Sequence, residues 1–158
     1  MPNPDFICIG AQKAGTTWLH HQLNQHPEVW MPPVKELHFF DQQDVSRRIY
    51  LLFRKGRRKR TTINQLRRVV RGDEPRWMLT YLFTKRTPSN YTKLFYPQEY
   101  QISGECTPAY ARLELEAVAK IAQLEPQPKI IYLLRNPVDR AWSQVNFFRQ
   151  HIICRIDV

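Results

Sequence analysis

A glycine-bounded loop near the start of the chain constrains the fold more than any other sequence feature. The loop, residues 10–17, reads Gly-Ala-Gln-Lys-Ala-Gly-Thr-Thr, and it lies between the apolar run 6–9 and a helical pattern. In such a layout the amide groups and the dipole at the helix start attract anions, and Lys13 adds a mobile positive charge. The loop therefore predicts an anion site, although an ordinary strand-to-helix turn with a solvated lysine is the simpler alternative.

The position of the lysine distinguishes this loop from that of nucleoside-triphosphate-binding proteins. Their loop reads G-x-x-x-x-G-K-[ST], whereas Lys13 lies two positions before Gly15. The order G-x-x-K-x-G-T-T resembles the 5′-phosphosulfate loop of sulfotransferases that use 3′-phosphoadenosine 5′-phosphosulfate (PAPS). The resemblance implies that PAPS and its product, adenosine 3′,5′-bisphosphate, bind here, and that Lys13 neutralises charge on the departing phosphate oxygen. The implied donor-binding residues of the loop are Gln12, Lys13, Ala14, Gly15, Thr16, Thr17 and Trp18.

A second phosphate site is predicted after the apolar run 129–134. Ligands of open α/β sheets bind beyond the carboxyl ends of the strands, so a strand here would bring Arg135 to the edge that carries Lys13. The stretch 135–143 resembles the 3′-phosphate element R-[DN]-P-x-x-R-x-x-S of the same sulfotransferases. The resemblance implies that Arg135 and Ser143 hold the 3′-phosphate of PAPS. The alternative is an arginine paired with a carboxylate and a serine on a helix surface.

The segment Lys35-Glu36-Leu37-His38-Phe39-Phe40-Asp41 is similar to the K-E-x-H-F-F-D segment of heparan-sulfate sulfotransferases and their bacterial relatives. The resemblance implies that Glu36 is the base that deprotonates the acceptor, with His38 and Asp41 shaping its surroundings. Adjacent phenylalanines would remove water from Glu36, and loss of hydration raises the pKa of a carboxylate towards useful basicity. The alternative is a solvated Lys-Glu pair beside two core phenylalanines.

The segment Gly104-Glu105-Cys106-Thr107-Pro108-Ala109-Tyr110 resembles a G-E-[KAS]-[ST]-P-x-Y stretch near the acceptor site of the same family. Many heparan-type enzymes have lysine where this chain has Cys106. The resemblance implies a small-molecule or saccharide acceptor, anionic or neutral, bound by Lys35, Glu36, Cys106, Thr107 and Pro108. The acceptor itself, and whether oxygen or nitrogen receives the sulfuryl group, stay open.

Alternation of apolar strands and amphipathic helices predicts an α/β fold with a parallel sheet. Predicted strands cover residues 5–10, 101–104 and 129–134, and predicted helices cover 15–25, about 110–124 and 137–150; residues 77–83 fit either strand or helix. With the resemblance, this implies one P-loop-like, three-layer domain, 1–158, in which a central parallel sheet is flanked by helices. Its parts are the loop and catalytic segment (5–45), a basic helical insertion (46–95) and the strand–helix units with the 3′-phosphate element (100–150). The family usually continues beyond the helix that contains Ser143, so we expect the C-terminal part of the family fold to be missing.

Positive charge is concentrated in one internal segment. The chain has a net charge of +10, and residues 47–93 contain 15 Lys and Arg against 2 acidic residues. This segment either recognises an anionic saccharide, binds nucleic acid or an anionic membrane, or is a solvated face without a partner. The sequence favours the first and last possibilities equally, and nucleic acid less.

The cysteines and the hydropathy limit the remaining function classes. Cys8, Cys106 and Cys154 have neither disulfide nor metal-ligand spacing, which predicts reduced thiols, no metal and a cytoplasmic protein. No stretch reaches the length of a membrane span, and no signal peptide is recognised. The expected function is therefore PAPS-dependent sulfuryl transfer, with carbohydrate as the favoured acceptor class. The alternatives are a P-loop-like nucleotide-binding or kinase-like protein and a catalytically silent anion-binding module.

Overall fold

The computed structural model describes residues 3–41 and 75–151. Four strands form one sheet in the order β2-β3-β1-β4, and every neighbouring pair is parallel. The strands are β1 (Phe6–Gly10), β2 (Val29–Trp30), β3 (Ile102–Cys106) and β4 (Lys129–Tyr132). The predicted α/β fold with a parallel sheet is confirmed. The short strand β2, which pairs with β3 at the sheet edge, was not predicted.

Helices connect the strands on both sides of the sheet. They are α1 (Thr16–Leu23), α2 (Pro75–Phe83), α3 (Pro88–Thr92), a 3-10 helix (Pro108–Arg112), α4 (Leu115–Ala122) and α5 (Pro137–His151). The ambiguous segment 77–83 is therefore helical. Thr87 begins α3 because its hydroxyl accepts a hydrogen bond from the amide of Asn90 and Pro88 follows it at the first helical position.

Alternate residues of β1 face two separate apolar layers, as the two-residue period of a strand requires. Phe6 and Cys8 pack with Leu19 and Leu23 of α1. Ile7 packs on the other face in the larger cluster, which collects aromatic side chains from the loop after β2 and from α2 and α3. This arrangement of helix, sheet and helices is the predicted three-layer order.

Strand β4 departs from its expected environment. Its apolar run is typical of a strand covered on both faces, but Ile130 is 52% exposed and Leu134, just beyond the strand, is 86% exposed. An apolar depression of about 250 Å³ lies beside it, between the sheet and α4, lined among others by Ile9, Val118 and Ile130. Within the described residues, β4 is an edge strand; Ile131 packs with the α1 layer, whereas Ile130 on the other face has no covering layer.

The helix predicted at about 110–124 is divided in the structure. The 3-10 turn ends at Arg112, Leu113 and Glu114 are extended, and α4 begins only at Leu115. Tyr110 explains the division, because its buried side chain anchors the first turn in the core while the amide of Leu113 closes that turn on the carbonyl of Tyr110.

Most of the predicted basic insertion lies outside the described residues. Of its charged residues between 75 and 93, Arg76, Lys85 and Lys93 are exposed. The guanidinium of Arg86 instead lies 4.1 Å from the ring centroid of Phe39. None of the helices within 3–41 and 75–151 combines the length and apolar character needed to cross a membrane.

Candidate active site

The loop after β1 has the backbone geometry of an anion cradle. Gly15 precedes α1 with a φ of 100°, and no side chain caps the helix N-terminus, so the amide groups there are not covered by a capping side chain. Lys13 also has a positive φ, of 65°. An L-residue rarely adopts this conformation, and such strain is concentrated at functional sites.

The two predicted phosphate-binding elements meet at one edge of the sheet. The guanidinium of Arg135, just after β4, donates a hydrogen bond of 2.9 Å from Nη1 to the carbonyl oxygen of Lys13. The backbone supports this contact, since the amide of Ala11 donates to Leu133 and the amide of Leu133 donates to Gly10. Arg135 therefore lies against the loop and is not paired with Glu105, which is buried elsewhere.

The ammonium of Lys13 faces the helix that follows Arg135. Its Nζ lies 4.4 Å from the ring centroid of Phe147 in α5, a distance at which a cation is attracted by an aromatic face. Ser143, the other predicted 3′-phosphate residue, is half-buried in the same helix. The loop, Arg135 and α5 thus form one side of the site.

Two buried tyrosines hold segment 35–41 in place. Tyr81 of α2 donates a hydrogen bond of 2.9 Å to the carbonyl of Leu37, and the amide of Phe39 donates one of 2.8 Å to the hydroxyl of Tyr110. His38, between the two anchored residues, has a φ of 50°, and Glu36, just before them, has a φ of 62°. The tyrosines therefore stabilise a backbone conformation that L-residues avoid, and that conformation directs the polar side chains of the segment away from the aromatic core.

Glu36 lies among charged groups rather than in the apolar surroundings expected from its neighbours. Phe39 and Phe40 are buried in the aromatic cluster, whereas the Glu36 side chain is 28% exposed and its Oε1 lies 2.9 Å from Lys35 Nζ. Its other oxygen, Oε2, lies 3.5 Å from Nε2 of His38. The expected desolvation of Glu36 by the phenylalanines stays a prediction; the described contacts of its carboxylate are with Lys35 and His38.

His38 is held between two carboxylates. Its Nδ1 lies 2.7 Å from Asp41 Oδ2, on the opposite side of the ring from Glu36. Burial by itself would lower the pKa of His38, but the hydrogen bonds and charges of Asp41 and Glu36 outweigh it and raise the pKa to about 9. At neutral pH the ring is therefore an imidazolium that orients the Glu36 carboxylate.

Lys35 connects segment 35–41 to the start of α1. Besides its contact with Glu36, the ammonium of Lys35 donates a hydrogen bond of 3.2 Å to the hydroxyl of Thr17 at the start of α1. The predicted base and the predicted phosphosulfate loop are thus within reach of one ammonium group. Sequence spacing alone did not reveal this link, since the two segments are 18 positions apart.

The predicted acceptor residues after β3 are enclosed rather than open to an acceptor. Cys106 and Thr107 are buried, and Pro108 is buried beside them. Thr107 donates a hydrogen bond of 2.6 Å to Oε2 of Glu105. Hydrogen bonding to Cys8 and burial raise the pKa of the Cys106 thiol well above its usual value. Acceptor contact through these three residues stays a prediction.

Glu105 is the centre of a buried hydrogen-bond network that sequence reasoning missed. The residue is 1% exposed, and Oε1 accepts a hydrogen bond of 2.6 Å from the hydroxyl of Tyr91. Burial raises the pKa of Glu105, while the hydrogen bonds from Thr107, Tyr91 and Tyr110 oppose that rise. The sequence did indicate this network through the motif 104–110, which contains both Glu105 and Tyr110. Glu105 binds Tyr91 and Tyr110 binds the amide of Phe39, so both residues anchor the aromatic cluster next to segment 35–41.

The remaining predicted residues occupy the surface of the loop. Gln12 and Ala14 are half-buried, Thr16 is buried, and Trp18 is 67% exposed at the first turn of α1. In the part of the chain that the structure describes, no three His, Cys, Asp or Glu side chains form a group able to hold a metal ion.

Comparisons with known proteins agree with this arrangement. The sequence profile described as "Sulfotransferase family" matches residues 4–152. The chain is 28% identical over 144 residues to "Membrane-associated sulfotransferase kil1" of Dictyostelium discoideum. That match covers 91% of this chain and 23% of the other protein. It is 26% identical over 163 residues to "Carbohydrate sulfotransferase 15" of Mus musculus, covering 92% of this chain and 27% of that protein.

A solved structure shows the same fold. The crystal structure of a sulfotransferase from Alicyclobacillus acidocaldarius superposes with a TM-score of 0.59 at 27% identity, covering 95% of this chain and 51% of that one. The chain thus spans about a quarter of the length of these curated relatives and half of the solved structure. Since the family profile extends from the strand before the loop to the end of α5, the chain belongs to the sulfotransferase family.

Proposed function

We propose that this protein transfers a sulfuryl group from PAPS to a hydroxyl or amine of an acceptor, with a carbohydrate as the favoured class. The observation that carries the proposal is the contact between Arg135 and the loop at Lys13. It places at one edge of the sheet the two elements whose sequences resemble the 5′-phosphosulfate and 3′-phosphate sites of PAPS-dependent sulfotransferases. A donor with phosphates at both ends matches that pair of cationic elements.

The donor would be held mainly by the loop and by α5. The amides at the start of α1 attract the 5′-phosphosulfate, Thr16 and Thr17 offer hydroxyl donors, and Lys13 supplies a full charge. At the other end, Arg135 offers a charge-assisted hydrogen bond to the 3′-phosphate. Selection of PAPS over ATP would follow from this contact, because ATP has no 3′-phosphate.

Glu36 is the proposed base. As the acceptor oxygen or nitrogen forms a bond to sulfur, its proton passes to the Glu36 carboxylate, and the bond between sulfur and the bridging phosphate oxygen breaks. The products are a sulfated acceptor and adenosine 3′,5′-bisphosphate. The contacts of Glu36 with Lys35 and His38 support this role, since they fix the direction of the carboxylate.

A carbohydrate acceptor is supported by the name of one relative, "Carbohydrate sulfotransferase 15", and by the similarity of segment 35–41 to heparan-sulfate enzymes. The exposed indole of Trp18 next to Thr17 offers an apolar face on which a sugar ring can pack.

Thermal unfolding in the presence of ligands tests the donor. Adenosine 3′,5′-bisphosphate should raise the melting temperature, because a ligand that binds only the folded state stabilises it. Adenosine 5′-monophosphate, which lacks the 3′-phosphate, is the matched control and should give a clearly smaller shift. ATP with Mg²⁺ should also give less stabilisation than the bisphosphate.

Two outcomes would contradict the proposal. Stabilisation by ATP with Mg²⁺ that exceeds the effect of the bisphosphate would favour a kinase-like nucleotide site. No response to any of the three ligands would leave a catalytically silent protein. If the bisphosphate binds, transfer of radioactive sulfate from PAPS to a panel of oligosaccharides identifies the acceptor.

A further inference from the structure

The ammonium of Lys35 lies between the two halves of the proposed reaction. Its Nζ is 3.2 Å from the hydroxyl of Thr17 on the donor side and 2.9 Å from Oε1 of Glu36 on the acceptor side. Its side chain is only 17% exposed. A largely enclosed cation that contacts both a phosphate-loop hydroxyl and the proposed base is placed where a transferred group must pass.

We infer that Lys35 binds the sulfuryl group of the donor and is a catalytic residue of the transfer, an assignment that rests on the proposed function. The sulfuryl group must lie between the bridging phosphate at the start of α1 and the nucleophile activated by Glu36. Within 3–41 and 75–151, Lys35 lies between those two positions, since its ammonium contacts both Thr17 and Glu36. Its target is therefore the sulfuryl oxygens rather than the acceptor.

The loop lysine occupies a different environment. The ammonium of Lys13 packs on the ring of Phe147 in α5, and the carbonyl of Lys13 receives the guanidinium of Arg135. The described contacts of Lys13 are thus with α5 and Arg135, whereas those of Lys35 are with Thr17 and Glu36. The two lysines divide the donor between them, with Lys13 serving the phosphates and Lys35 serving the sulfuryl group.

The hydrogen-bonding capacity of Lys35 fits this task. An ammonium group has three N–H donors, and the described contacts direct two of them at Thr17 and Glu36. The third can be donated to a sulfuryl oxygen without breaking either contact. When PAPS binds, Lys35 would then hold the sulfuryl group next to Glu36. This positioning aligns the sulfur atom with the acceptor nucleophile.

A comparison of two ligands isolates this contact, because adenosine 3′,5′-bisphosphate lacks the sulfuryl group of PAPS. Dissociation constants for both ligands are measured by calorimetry, without acceptor, for the full chain and for Lys35→Met. We expect the substitution to weaken PAPS binding about 10-fold, the value of one charge-assisted hydrogen bond, and to change bisphosphate binding less than about 2-fold. Lys120→Met, which removes a half-buried lysine of α4 that pairs with Glu116, is the matched control and should change neither constant.

The outcomes separate this inference from the proposed function. If the unsubstituted protein binds neither ligand, the proposed donor site is wrong. If it binds both and Lys35→Met weakens them equally, or weakens neither, the sulfuryl assignment is wrong and the donor site stands. A fall in melting temperature with an unchanged ratio of the two constants would show that Lys35 only ties α1 to segment 35–41, which also overturns the inference. Lys35→Arg, which retains the charge, should recover part of the PAPS preference.

Discussion

The guanidinium of Arg135 donates a hydrogen bond of 2.9 Å to the carbonyl oxygen of Lys13, although the two residues are 122 positions apart in the chain. Parallel pairing of β1 with β4 causes this proximity, because the residues that follow both strands emerge at the same edge. Two motifs that are separate in the sequence thereby become one cationic edge.

Replacement of Arg135 by methionine should weaken the binding of adenosine 3′,5′-bisphosphate by about 10- to 100-fold, as expected for loss of a charge-assisted phosphate contact. Binding of adenosine 5′-monophosphate should change little. Calorimetric titration of both ligands measures the difference. Arg112→Met, at the exposed last residue of the 3-10 helix, should leave both affinities unchanged. An equal effect of the two substitutions would show that only net charge matters.

Replacement of Glu36 by glutamine should reduce sulfuryl transfer by about 100-fold or more, since the amide cannot accept the acceptor proton. Affinity for adenosine 3′,5′-bisphosphate should be retained, because the carboxylate lies on the acceptor side of Lys35. Sulfate transfer from PAPS is the measurement, and Glu99→Gln, at an exposed residue, is the control. Turnover close to normal in Glu36→Gln would remove Glu36 from the role of base.

His38 should make the stability of the protein dependent on pH above neutrality. Its folded-state pKa is raised to about 9, compared with about 6.5 in an unfolded chain. The stabilisation from its ion pairs is therefore complete below about pH 6.5 and is lost as the pH rises through about 9. Urea unfolding between pH 6 and 10 should show a decreasing free energy of unfolding across that interval.

Two variants assign this pH dependence to the ion pairs of His38. Asp41→Asn removes the carboxylate at 2.7 Å and should move the loss of stability to lower pH, while His21→Gln, at an exposed histidine, should leave the profile unchanged. A profile for Asp41→Asn identical to that of the unsubstituted protein would contradict the assignment.

Replacement of Tyr91 by phenylalanine should lower the free energy of unfolding by about 1–3 kcal/mol, because it leaves a buried oxygen of Glu105 without the donor that the hydroxyl now supplies. Tyr100→Phe removes a hydroxyl from a side chain that is 70% exposed and should change stability by less than about 0.5 kcal/mol. Urea unfolding at pH 7 measures both. Equal stability of the two variants would show that the Glu105 network does not stabilise the core.

Local sequence patterns were sufficient for β1, β3, β4, the glycine-bounded loop and α5, but not for the two-residue strand β2. An apolar run followed by a glycine loop and a helical pattern predicts β1 and α1, because these elements depend on short-range periodicity and on the backbone freedom of glycine. Pro137 likewise marks the start of α5. Local patterns could not predict that the helix is interrupted at 113–114. The interruption depends on the core position of Tyr110, which contacts the distant residue Phe39.

The chain by itself determined the parallel α/β fold, the loop and the identity of the charged residues, all of which follow from neighbouring residues. Tertiary structure alone decided how Glu36 is surrounded. Tyr81 and Tyr110 hold segment 35–41 in a conformation that turns Phe39 inwards and Glu36 towards Lys35 and His38. Hydrogen bonds between residues tens of positions apart produce this environment, and no periodicity along the chain encodes their geometry.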